Sequence, residues 1–110
     1  MGSELKLAMT TCDSRELADR LATTLVERRL AACVNVLPGV RSAYRWAGTV
    51  EHAEEVLLMI KTTQAELSAV EATIRSISGY ELPEFVAVEI TGGSADYLAW
   101  LAASVGEDRQ

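Results

Sequence analysis

The chain has 110 residues, 49% of them hydrophobic and 24% charged, a composition that suits one globular domain and excludes an intrinsically disordered one. Its formal charge of -6 at pH 7 comes without a basic cluster, since Arg28-Arg29 and Arg41/Arg45 are pairs rather than stripes; nucleic acid, which needs a basic face, is therefore not an expected partner. No run approaches the roughly 18 apolar residues of a spanning helix, so no membrane partner is expected either.

The opening Met1-Gly2 is not followed by a secretory pattern, and Lys6 stands where a myristoylation signal wants Ser or Thr. Cys12 and Cys33 form no CxxC, which leaves neither a zinc knuckle nor a disulfide framework and makes a reducing cytoplasm the expected location.

In chain order, Leu5, Leu7 and Met9 alternate with the period of a half-buried strand, and this face is expected to meet the core. Asp13 then opens a helix, capping its free N–H groups while Glu16 reaches back three residues on. Leu17, Leu21 and Leu25 with Ala18, Ala22 and Val26 form its apolar stripe, to about Arg29. From Ala32 to Ala47 the residues are β-branched, aromatic or alternating, and Pro38-Gly39 in the middle predicts a bulge in one long bent strand. The segment Trp46 to Val50 turns the chain, and a second long strand returns through the apolar run Val56 to Ile60.

Thr63 and Glu66 repeat the capping signal for a second helix with Leu67, Val70, Ile74 and Ile77 on its apolar face and Gly79 as its stop. Glu84 to Ile90 reads as a buried strand. Gly92-Gly93 ends it, and Ser94 caps a short helix carrying Tyr97, Leu98, Trp100 and Leu101. Val105 to Gln110 are expected to fray. The order β-α-β-β-α-β plus a helix predicts an α+β fold, a ferredoxin-like sandwich with a long β-hairpin and a C-terminal helix, in a single domain over 1–110 whose core spans about 5–104.

The hairpin sets a demand of its own. An arm of up to about 13 residues runs roughly 40 Å, whereas a domain of this size is about 30 Å across. Part of the hairpin must project, and a projecting ribbon is an aggregation hazard unless a closed oligomer covers it.

Chemistry is sparser. Cys33, between Ala32 and Val34, reads either as a small buried hydrophobe or as a soft ligand for copper or zinc, for which one chain offers no second cysteine nearby. His52 has Glu51, Glu54 and Glu55 around it and reads as a solvated histidine or a weak cation site. Cys12, beside a helix N-terminus, reads as a loop cysteine or as a thiolate stabilised by the helix dipole. The loop Gly79 to Phe85 crowds Tyr80, Glu81, Pro83 and Glu84 together, and Lys61 is a candidate matching cation. Tyr44 and Trp46 share one face of the hairpin, suited to a subunit interface or to stacking on a ligand. No GxSxG, HExxH or phosphate-cradling glycine loop is present, so catalysis is not expected. An enzyme using Lys61, Tyr80 and Glu84, or a nucleotide sensor, stays as the alternative.

The blocks "LAACVNVLPGVRSAYRWAGTVEHAEEVLLMIKT" and "GYELPEFVAVEITGGSADYLAWL", in that order, resemble the divalent-cation-tolerance CutA family over roughly Leu5 to Ser104. The resemblance implies a homotrimer of ferredoxin-like subunits joined through their hairpins, similar in architecture to PII signalling proteins. It also implies a role in response to metal ions, with copper or another divalent cation as ligand and no cofactor required. By the same resemblance Cys33 is a metal-ligand candidate, and Lys61, Tyr80, Glu84, Tyr44 and Trp46 are candidates for inter-subunit ligand clefts. The chain departs from the family where Ser78-Gly79 precedes Tyr80 in place of His-Pro, and where Thr10 stands in place of a cysteine.

Overall fold

The computed structural model describes residues 4–106. Four strands and three helices follow one another as β1 (Leu5–Cys12), α1 (Arg15–Glu27), β2 (Cys33–Trp46), β3 (Thr49–Thr63), α2 (Leu67–Ser78), β4 (Val86–Glu89) and α3 (Ala95–Ser104), with a single 3₁₀ turn at Gln64–Glu66. The strands form one antiparallel sheet in the order β2-β3-β1-β4. This is the ferredoxin-like arrangement expected from the element order.

One face of the sheet carries α1 and α2. Ala8 lies opposite Ile60, Thr10 opposite Leu58 and Cys12 opposite Val56, and these side chains pack with Leu21 and Leu25 of α1 and Val70 and Ile74 of α2 in the main core. Thr10 and Thr62, buried in the same layer, each donate to a loop carbonyl at 2.6 Å, those of Glu84 and Leu30, which meets the rule that buried hydroxyls are paired.

The face assigned to β1 from its alternation is therefore the other one. Leu7 and Met9 sit half-buried on the sheet face opposite α1 and α2, because the helices approach over the small side chains Ala8, Thr10 and Cys12. Among the described residues, α3 covers one end of that open face, where Leu5 packs with Leu101 and Leu98. The remainder runs through Leu57 and Met59 to the exposed Leu37, Val86 and Val88.

Local signals account for most element ends. Ser14, not Asp13, is the N-cap of α1, its hydroxyl accepting from the Leu17 N–H at 3.1 Å; both residues are good caps, and the strand running to Cys12 shifts the start by one. The start of α2 is uncapped: Thr63 makes no capping bond, the 3₁₀ turn intervenes and Glu66 caps with no side-chain bond. Gly79 ends α2 in the left-handed conformation, and Ser94 caps α3 by accepting from Tyr97 N–H. The strand read as buried, β4, is a sheet edge paired only with β1 and exposed along its length. Val105 packs against the cluster of Leu5 and Leu101, Gly106 is tied back to the body by Arg29, and the rest of the expected fray lies outside the described residues.

The hairpin projects. Residues 56–63 of β3 pair with β1, and 57–61 of these pair with β2 as well, whereas Thr49 to Glu55 pair with β2 alone. A register shift between Leu37 and Val40, at Pro38-Gly39, bends the ribbon where it leaves the body. The molecule is consequently 49 × 25 × 22 Å.

Candidate functional site: a cleft beneath the hairpin arm

The arm and the loop between α2 and β4 enclose a cleft of about 740 Å³. On the arm, Ser42, Tyr44 and Trp46 lie at alternate positions of β2, and the register places Tyr44 opposite Glu51 and Trp46 opposite Thr49. Glu55 completes this wall from β3. The opposing wall is Tyr80, Leu82, Pro83 and Glu84, with Thr11 at the end of β1 between the two.

That opposing wall is pinned to β1. The Thr10 hydroxyl donates to the Glu84 carbonyl at 2.6 Å, and the Thr11 hydroxyl to Glu84 Oε1 at 3.2 Å. The Asp13 N–H donates to the Tyr80 hydroxyl oxygen at 3.1 Å, and the Ser78 hydroxyl accepts from the Tyr80 N–H at 3.2 Å. Pro83 is buried, which stiffens the loop further. Burial pushes the Tyr80 phenol above its ordinary value of 10.0, an effect only partly offset by the Asp13 N–H. At neutral pH Tyr80 therefore keeps its proton, which the neighbouring Asp13 carboxylate also favours.

Four of the sequence candidates, Tyr44, Trp46, Tyr80 and Glu84, thus converge. Lys61 lies outside this cleft. It stands opposite Leu7 and Cys33 in the sheet, where its ammonium meets the Tyr97 hydroxyl at 3.4 Å and sits 5.4 Å from the centre of the Tyr97 ring. Trp100 packs beside Tyr97 at 5.4 Å between ring centres. Thr11, Arg45 and Leu82 are not among the site residues expected from the sequence, and Glu55 is expected only as a carboxylate near His52; its odd-numbered parity with Glu51, which lies opposite Tyr44, is the signal that puts it on the cleft side of β3 instead.

Cys33 is half-buried at the start of β2, with Asn35 Oδ1 4.0 Å from its sulfur. His52 is exposed on the other face of the arm, in a shallow depression shared with Arg41 and Glu54. Among the described residues no three His, Cys, Asp or Glu side chains gather into a group that could hold a metal ion. Cys12 is the last residue of β1 and 1% exposed, its thiol pushed up by burial and donating to the Ser14 carbonyl at 3.4 Å. The alternative reading of Cys12 as a thiolate stabilised by the helix dipole is thereby corrected, because burial raises the thiol.

The family model for the CutA1 divalent ion tolerance protein matches residues 6–104. The chain belongs to this family. The divalent-cation tolerance protein CutA of Thermus thermophilus is 41% identical over 101 residues, which cover 92% of this chain and 98% of that one. Among solved structures, the divalent cation tolerance protein from Thermus thermophilus superposes with a TM-score of 0.90 at 40% identity, covering 93% of this chain and 99% of that one. CutA1 from a psychrotrophic Shewanella bacterium does so with a TM-score of 0.91 at 36% identity, over 97% and 100%. With so little of the chain left over, the projecting arm and α3 belong to the architecture shared with CutA1 proteins.

Proposed function

We propose that the chain acts as a homotrimeric, non-catalytic divalent-cation tolerance protein whose metal and ligand sites are completed between subunits. The observation that carries this reading is the uncovered apolar face: Leu7, Met9, Leu57 and Met59 run on to the exposed Leu37, Val86 and Val88, and to Tyr44 and Trp46 on the arm. Contiguous apolar surface of this kind marks an interface. A face flanked by a projecting ribbon on one side and an unpaired edge strand on the other suits a closed ring, in which each edge meets a neighbour.

Metal binding is our inference from the family's divalent ion tolerance, and it takes its limits from the donors. Since no three-donor group assembles within the described residues of one chain, a copper or other divalent ion would draw donors from more than one subunit. Cys33 is the soft donor on offer, and Lys61, its cross-strand neighbour, puts a positive charge beside any cation there. Binding no tighter than about micromolar is expected, because dedicated tight sites use three or four N/S donors.

Light scattering joined to calorimetry with Cu(II) and Zn(II) tests the proposal. The expected results are a mass of about 36 kDa, three times 11.9 kDa, weak metal uptake, and little change on Cys33→Ser. A well-folded monomer overturns the assembly; a nanomolar copper site abolished by Cys33→Ser overturns the account of the donors.

A further inference from the structure

We draw no further inference here: the strongest candidate, the groove of about 660 Å³ between α3 and the 3₁₀ turn at Gln64–Glu66, lined by Leu5, Leu98, Ala99, Ala102 and Val105, carries nothing because nothing in the structure shows what covers it.

Discussion

Arg29 and Gly106 hold each other through both ends of the arginine: the Gly106 N–H donates to the Arg29 carbonyl at 2.8 Å, and Arg29 Nε donates to the Gly106 carbonyl at 2.6 Å. A further guanidinium N–H, on Nη2, reaches the Ala103 carbonyl at 3.0 Å. Ala103 lies in the last turn of α3, where carbonyls have no partner inside the helix. The end of α1 thus staples the end of α3, and with it Leu101, the residue that closes one end of the open sheet face.

Replacing Arg29 with Ala should cost about 1–3 kcal/mol, the usual range for losing charge-assisted hydrogen bonds to partly buried carbonyls. The backbone adds a twist, because Arg29 has φ 60, a left-handed conformation that any side chain beyond glycine resists by about 1–2 kcal/mol. Arg29→Gly should therefore be less damaging than Arg29→Ala, the reverse of the ordinary order, while Arg28→Ala next door stays near neutral. Chemical denaturation of the three variants checks the ranking, and faster amide exchange confined to α3 would locate the loss.

The hairpin tip stores a smaller strain. Ala47 (φ 52) and Gly48 (φ 86) both occupy the left-handed region between Trp46 and Thr49, the backbone of a two-residue type I′ turn, which favours Asn-Gly. Ala47→Asn should raise stability by about 0.5–1 kcal/mol without altering assembly. A rise in the unfolding midpoint at unchanged oligomer mass is the result to look for; a fall would mean that the tip is shaped by its contacts with a neighbour.

Alkali should destabilise the fold in two steps. Burial raises the Cys12 thiol above 9.0 and the Tyr80 phenol above 10.0, so the unfolded chain releases both protons first. The stability that each neutral group contributes is complete below its unfolded value and is lost as pH climbs past it toward the folded one. Denaturation midpoints measured from pH 7 upward should fall beginning near pH 9; Cys12→Ala should flatten the first part of that fall, and Tyr80→Phe the part above pH 10. Identical slopes in all three proteins would remove these groups from the explanation.

What could be read in the sequence divides along physical lines. Backbone chemistry that acts locally was legible: Pro38-Gly39 marks the bulge, Gly79 the end of α2, and Ser94 the start of α3, because each meets its requirement within a few residues. Choices between equivalents were not. Asp13 and Ser14 are both capable caps, and β1 is apolar on both sides, so alternation alone cannot tell which side the helices cover; the small residues Ala8, Thr10 and Cys12 were the available clue, since they let helices approach. The sequence of β4 read as buried because Val86 and Val88 are apolar, yet within one chain both are about half exposed. For the site, Tyr80 and Glu84 were legible from their crowded loop, whereas the separation of Lys61 from them depends on which strand edge and face each occupies, a matter of register that no short motif encodes.

The assembly carries the last and most consequential expectation. Trp46, 58% exposed on the arm, and Val88, 49% exposed on β4, each offer an apolar side chain at a different edge of the open face, and in a closed trimer both would be covered by neighbours. Covering an exposed apolar side chain stabilises by about 1.5–3 kcal/mol, and the effect recurs in every subunit of a ring. Trp46→Glu and Val88→Asp should each lower the unfolding midpoint and shift the mass toward a monomer, whereas His52→Ala, on the solvent-facing side of the arm, should do neither. Because unfolding of a trimer releases three chains, the wild-type midpoint should rise with protein concentration, and the trimer should persist on dilution to nanomolar concentration. A midpoint independent of concentration, with Trp46→Glu no worse than His52→Ala, would mean that the uncovered sheet face serves some purpose other than self-association.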